Sequence, residues 1–192
     1  MSTPSVRPRS RRRAVFVDRD GTLMPDLHYL ADPEAAELAH GVGDALRLFH
    51  QHDYLVICVT NQSGVGRGLF TEETVHQIHG RLNEKLRPYR ASIDAFYYCP
   101  HTPEQQCECR KPGTALFQQA AEDWAIDFPT SAIVGDRLAD VEAGTRLGLF
   151  TVLIPEVAHE RLVNQELTDR GIRPDVRVTS FGAAASAVLH RG

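Results

Sequence analysis

Apolar and polar positions follow two rhythms along this chain. Six short runs rich in β-branched and aromatic residues, each bounded by turn formers, predict strands over residues 14–18 (AVFVD), 54–60 (YLVICVT), 93–99 (IDAFYYC), 131–136 (SAIVGD), 149–154 (LFTVLI) and 175–180 (DVRVTS). Between them the apolar positions recur every three or four residues. Val42, Leu46 and Phe49 share one face over 42–52, and Val75, Ile78, Leu82 and Leu86 share one over 71–86. Thr71 is placed to cap the second of these helices, and Glu72 and Glu73 suit the positive end of its dipole. Further helices are predicted over 114–124, 138–147 and 181–190, the last capped by Ser180. Nearly continuous apolar strands suit a sheet covered on both faces, and their alternation with helices predicts an α/β fold with a doubly wound parallel sheet. In such sheets ligands lie beyond the carboxyl ends of the strands, so the informative residues should collect there.

Composition narrows the picture. The 192 residues, 42% of them hydrophobic and 24% charged, fit one domain, expected over residues 14–192. No apolar run is long enough to span a membrane, and the arginine-rich start lacks the apolar stretch of a signal peptide, so a place in the cytoplasm is expected; no long amphipathic or apolar segment is left over once the sheet and its helices are assigned, so a monomer is expected. Five of the 21 basic residues, Arg7, Arg9, Arg11, Arg12 and Arg13, fall in the first thirteen positions, which read as a disordered arginine-rich tail. The remainder then carries 16 basic against 25 acidic residues, a balance that argues against a nucleic-acid partner.

The strand ends carry the chemistry. Asp18 and Asp20 close the first strand, and side chains two apart on extended chain point the same way. Two such carboxylates repel unless a cation lies between them or one is protonated, which suits either a magnesium site or a nucleophile beside a general acid; a turn-capping Asp before Gly21 is the plainer reading. After the second strand, Thr60 and Asn61 lead into NQSGVGRG, where a hydroxyl and free backbone N–H groups can cradle phosphate. Arg110 and Lys111, just before Pro112, can clamp phosphate oxygens or stand as a solvated basic pair. Asp136 and Asp140 follow the fourth strand and could converge with the first pair, which spacing alone does not show.

Of four cysteines, Cys99, Cys107 and Cys109 cluster with His101 as C-x-H-x5-C-x-C, a pattern that can close a tetrahedral zinc site with no open position for water. Cys58 reads as a small core residue. The remaining histidines, His28, His40, His50, His52, His76, His79, His159 and His190, read as solvated.

Taken in order, VDRDGTL, VTNQSG, CRKPG and VGDRLAD resemble the signatures of the haloacid dehalogenase-like phosphohydrolases, over residues 15–154. The fuller string, with NQSGVGRG and the cysteine cluster, looks like the branch that contains D-glycero-D-manno-heptose 1,7-bisphosphate 7-phosphatases and histidinol-phosphate phosphatases. That resemblance implies a Rossmann-like sheet, no large cap domain, and a structural zinc held by Cys99, His101, Cys107 and Cys109. It also implies Asp18 as nucleophile, Asp20 as general acid and base, and Lys111 with Thr60 on the transferring phosphoryl group. Magnesium would be held by Asp18, the Asp20 carbonyl and Asp136, with Asp140 in support. Asn61, Arg67 and Arg110 would bind the substrate, and the RG pair at Arg67 favours a small phosphorylated sugar, the heptose bisphosphate, over histidinol phosphate. The same motifs could also serve a nucleic-acid 3'-end phosphatase or, without catalysis, a zinc-stabilised binding module.

Overall fold

The computed structural model describes residues 11–157 and 159–191. Six parallel strands form one sheet: β1 (Arg13–Val17), β2 (Tyr54–Asn61), β3 (Ala95–Cys99), β4 (Ala132–Gly135), β5 (Phe150–Leu153) and β6 (Val176–Arg177). Their spatial order is β3-β2-β1-β4-β5-β6. The chain winds outward from β1 to β3, then returns to the other side of β1 and winds outward to β6. The winding direction therefore reverses between β1 and β4, and a crevice opens at their carboxyl ends. Val15 and Val17 of β1 point to one face, where they pack with α1 (Val42–Gln51), α3 (Glu72–Leu86) and α7 (Phe181–Leu189). Ala14 and Phe16 point to the other face, against α4 (Ala115–Trp124) and α5 (Leu138–Leu147). There the Phe16 and Phe117 rings meet at 5.1 Å and 60°, a tilted aromatic pair. The sheet is thus covered on both sides, and no segment among the described residues forms a large cap.

The expected caps are present: Thr71 accepts from the Thr74 N–H and Ser180 from the Ala183 N–H. Four expectations need correction. The tail does not extend to residue 13, because Arg13 pairs with Tyr54 as the first residue of β1, Arg12 bridges to Ile126, and Arg11 is 2.7 Å from Asp127; residues 1–10 lie outside the described residues. The NQSGVGRG segment, from which free backbone N–H groups are expected, spends several of them inside a short helix, α2 (Ser63–Gly66), and its capping turns. Helix α6 (Glu160–Arg170) was not predicted, since only Val163 and Leu167 turn inward from a polar surface. His79 is not solvated: it is 4% exposed on α3, its ring stacked on Phe96 at 4.1 Å.

Asp94, just ahead of β3, ties three elements together. Its carboxylate accepts from the Val56 N–H of β2 at 2.7 Å and lies 3.2 Å from His50 Nε2 of α1. Burial pushes this carboxyl upward, but those two hydrogen bonds and the charges of His50 and Arg12 outweigh it and hold it below the ordinary aspartate value. A depressed folded value means stability that is present above the unfolded value, about 3.9, and lost as pH falls through the folded one. Asp94→Ala is therefore expected to lose about 1–3 kcal/mol at neutral pH in urea unfolding, with the gap to wild type closing below about pH 4. A gap of constant size through the acid range would contradict this account.

Candidate active site

Asp18 follows β1 directly, and its amide still pairs with the Val134 carbonyl of β4 at 3.1 Å, so the carboxylate is set at the reversal point. The next turn is drawn tightly over the sheet. Gly21 has φ +80°, and a Cβ there would come within 2.4 Å of Asp136 Oδ2, so only glycine allows the turn to lie against the carboxylate after β4. Asp140 belongs to the first turn of α5, where it accepts from the Arg137 N–H at 3.1 Å. The carboxylate oxygens of Asp18, Asp136 and Asp140 lie within 4.8 Å of one another. Sequence spacing could not show that convergence.

Lys111 enters this group from the far side of the chain. Its buried ammonium donates to the Val59 carbonyl at 2.7 Å and sits 2.8 Å from Asp18 Oδ1 and 2.6 Å from Asp140 Oδ1. Asn61 holds it there, accepting from the Lys111 N–H at 2.9 Å and donating to its carbonyl at 3.2 Å. The Asn61 side chain thus anchors a cation, a role the sequence did not reveal. Burial alone would push the Lys111 ammonium down, but Asp140 and Asp18 raise it well above the ordinary lysine value. Burial pushes the Asp18 carboxyl up, which Lys111 only partly reverses. Asp136 is lifted to about 8, first by burial and then by the charges of Asp18 and Asp140. One ammonium beside three buried carboxylates leaves excess negative charge, and Asp136 Oδ2 finds no donor in line although Arg137 Nε is 3.0 Å away. An anionic, all-oxygen set of this kind fits a hard divalent cation.

Asp20 lies beside this group, outside it. Its carboxylate accepts from Gln62 Nε2 at 2.7 Å and from the buried Arg19 guanidinium at 3.1–3.3 Å. Neither Arg19 nor Gln62 was singled out from the sequence, although Gln62 stands two residues from Thr60 and donates to its hydroxyl at 2.9 Å. A cleft of about 270 Å³ opens here, with Asp20, Asp26, His28, Tyr29, Asn61 and Ser63 among its walls. Asp26 joins the first loop to α5 through Arg137 at 3.1 Å, a link across about 110 residues that the sequence gives no means of seeing. Arg67 and Arg110 are not among the cleft walls. Arg67, at the end of α2, reaches the cysteine loop through Glu104 at 3.7 Å, and Arg110, at the end of that loop, donates to the His101 carbonyl at 3.4 Å. A larger recess of about 780 Å³ lies at the opposite ends of the strands, but its arginines are already engaged, Arg13 with the His52 carbonyl and Arg191 with the Ser131 carbonyl.

The cysteine loop is built onto the same edge of the sheet. The Gln62 N–H donates to the Cys99 carbonyl at 2.7 Å and the Gly66 N–H to the Pro100 carbonyl at 2.9 Å; a Cβ on Gly66 would stand 2.7 Å from that oxygen. The Sγ atoms of Cys99, Cys107 and Cys109 and Nδ1 of His101 are 3.1–3.6 Å apart along the five contacts they make. Sulfurs at these distances are not disulfide-bonded. Ligand atoms around a tetrahedral zinc stand roughly 3.5–3.8 Å apart, so the cluster fits such an ion after a slight expansion.

A family model described as HAD-hydrolase-like matches residues 108–184. The D-glycero-beta-D-manno-heptose-1,7-bisphosphate 7-phosphatase of Haemophilus ducreyi is 41% identical over 150 residues, 74% of this chain and 82% of that protein. The probable D-glycero-D-manno-heptose-1,7-bisphosphate 7-phosphatase of Thermoplasma volcanium is 42% identical over 125 residues, 65% of this chain and 86% of that protein. Among solved structures, the D,D-heptose 1,7-bisphosphate phosphatase of B. bronchiseptica, complexed with magnesium and phosphate, superposes with a TM-score of 0.82 at 28% identity, covering 94% of this chain and 99% of that one. With these relatives and the carboxylates gathered at the reversal point of the sheet, the chain belongs to the haloacid dehalogenase-like phosphatases, in the branch of the heptose bisphosphate phosphatases.

Proposed function

We propose that this protein removes the 7-phosphate of D-glycero-D-manno-heptose 1,7-bisphosphate through an aspartyl-phosphate on Asp18. The observation that carries the chemistry is the buried group of Asp18, Asp136 and Asp140 around Lys111. Asp18 Oδ attacks phosphorus as the phosphorus–oxygen ester bond breaks, and Asp20 passes its proton to the departing sugar oxygen. Asp20, now ionised, takes a proton from water as the water oxygen attacks phosphorus, which releases phosphate and restores the Asp18 carboxylate. Lys111 is already at Asp18 and holds positive charge where the phosphoryl oxygens gather in the transition state, and the Thr60 hydroxyl is read as a further ligand of those oxygens. Magnesium would be held by Asp18, the Asp20 carbonyl and Asp136, with Asp140 in support; the grouping of Asp18, Asp136 and Asp140 supports this, and when bound the ion supplies charge neutralisation for the phosphoryl oxygens.

The substrate rests on the relatives. Two named for the heptose bisphosphate match this chain at 41% and 42% identity, and no feature of the cleft favours histidinol phosphate over it. Asn61, Arg67 and Arg110 are read as the groups that meet the rest of the substrate, the two arginines from outside the cleft walls, where Arg67 pairs with Glu104 and Arg110 with the His101 carbonyl. Zinc fits the Cys99, His101, Cys107 and Cys109 set as a structural ion that stiffens the loop carrying Arg110 and Lys111. Three cysteines kept as thiols suit a reducing compartment, which supports a place in the cytoplasm.

With magnesium present, kcat/KM for phosphate release is expected to favour heptose 1,7-bisphosphate over histidinol phosphate by at least about 10²-fold, and Asp18→Asn to lower turnover by on the order of 10⁴ while the protein stays folded by circular dichroism. Preference for histidinol phosphate would overturn the substrate, and substantial activity in Asp18→Asn would overturn the nucleophile. Elemental analysis is expected to find one zinc per chain in the wild type and none in Cys109→Ala. That variant should unfold several degrees lower and lose roughly 10- to 100-fold in kcat/KM. Full activity and stability after zinc loss would contradict the scaffold role.

A further inference from the structure

The residue between the two aspartates of the DRDGT segment is an arginine with 1% of its surface exposed. Burying a guanidinium is unfavourable unless it is closely paired, and an apolar side chain of similar length would serve packing better. Arg19 spends its donors on one carboxylate. Nε and Nη2 both reach Asp20, at 3.1–3.3 Å, and Nη2 also donates to Gln62 Oε1 at 2.8 Å. Gln62 completes the circuit by donating from Nε2 to Asp20 Oδ2 at 2.7 Å and to Thr60 Oγ1 at 2.9 Å. Arg19, Gln62 and Asp20 thus form a closed ring of hydrogen bonds, fastened to the end of β2 through Thr60. The Arg19 main chain serves the same turn: its N–H donates to Asp18 Oδ1 at 2.7 Å, and its carbonyl accepts from the Leu23 and Met24 N–H groups at 2.9 and 3.0 Å.

The surroundings keep the guanidinium free of competitors. Arg19 Nη1 and His79 Nε2 are both buried without a hydrogen-bond partner among the described residues. Burial, with the charges of Arg19 and His76, brings His79 down to about 3, so the ring beside Arg19 stays neutral and adds no second cation.

We propose that Arg19 is the positioning residue of Asp20: with Gln62 it holds the Asp20 carboxyl in the orientation from which it exchanges protons with the leaving oxygen and with water, and it acts on the reaction only through Asp20. This rests on the reading of Asp20 as general acid and base. The ion-paired carboxylate is the form that takes a proton from water in the second half-reaction. In the first, Gln62 Nε2 and Arg19 Nε keep the acid by Oδ2 while Oδ1, which as a carboxylate oxygen also accepts from Arg19 Nη2 at 3.1 Å, carries the proton and gives it to the sugar oxygen as the ester bond breaks.

The test is leaving-group dependence in a double-mutant cycle. A departing alkoxide needs its proton, whereas p-nitrophenolate leaves without one, so loss of an oriented acid slows alkyl phosphates selectively. Single-turnover rates are measured for an alkyl phosphate and for p-nitrophenyl phosphate with wild type, Asp20→Asn, Arg19→Lys, Gln62→Leu and the double variant Arg19→Lys/Asp20→Asn. Arg19→Lys is expected to slow the alkyl phosphate by roughly 10²-fold and p-nitrophenyl phosphate by no more than about threefold. Added to Asp20→Asn it should cost nothing further, the non-additivity of residues that act as one unit. Gln62→Leu should show the same selectivity, and it carries the test if Arg19→Lys does not fold. Equal losses on both substrates, or losses that multiply in the double variant, would overturn the positioning role. If Asp20→Asn itself shows no leaving-group selectivity, the acid–base reading of Asp20 fails and the proposal with it. Selectivity in Asp20→Asn that neither Arg19→Lys nor Gln62→Leu reproduces would refute the proposal alone.

Discussion

Everything at this site depends on one buried ammonium. Lys111 Nζ touches Asp18 and Asp140 and hangs from the Val59 carbonyl, so it links the ends of β1 and β2 to the start of α5 at a single atom. Its charge compensates only part of what the three carboxylates carry. That imbalance, expensive in an apolar interior, is relieved either by a proton on Asp136 or by a bound cation, so a phosphoryl group accompanied by a divalent metal would enter a pocket already organised to favour it. The arrangement also explains why so much of the surrounding chain is devoted to holding Lys111 still. Asn61 grips its main chain in both directions, and the cysteine cluster ends two residues before it.

The fold supplies the place for this charge. Parallel strands on either side of β1 are wound in opposite directions, so the segments leaving β1 and β4 part there and no crossover covers their ends. Asp18 and Asp136 are the first residues after those strands. Gly21 lets the first turn close over Asp136, and Gly66 lets α2 close over the cysteine loop, so on each side of the crevice two segments pack with no side chain between them. Charge, metal donors and cleft are consequences of one topological feature with close backbone approaches on both sides.

Much of this was legible in the sequence. Runs such as AVFVD and YLVICVT are buried on both faces and read as strands without ambiguity, and the spacing of Asp18 and Asp20 announced carboxylates at a strand end. The motifs read in order brought the family within reach. What stayed hidden depends on contacts between distant segments. Arg19 has the spacing of a residue turned away from the site, and only the Gln62 amide, 43 residues on, brings its guanidinium onto Asp20. His79 falls between Val75 and Leu82 on the apolar stripe of α3, a position that outweighs its polar side chain, and Phe96 of β3 stacks on its ring. Helix α6 escaped notice because two inward side chains are too narrow a stripe to stand out, and β6, expected to be six residues long, pairs through only Val176 and Arg177 because the sheet ends there.

The central claim is that Asp18, within its group of carboxylates, is the residue that takes the phosphoryl group. Acyl phosphates are reduced by borohydride to the alcohol, so quenching the enzyme during turnover and mapping the modified peptide by mass spectrometry reads the nucleophile directly. The account predicts conversion of Asp18 to homoserine, dependent on substrate, with Asp20, Asp136 and Asp140 unchanged. Reduction at one of those three instead, or none during sustained turnover, would contradict it.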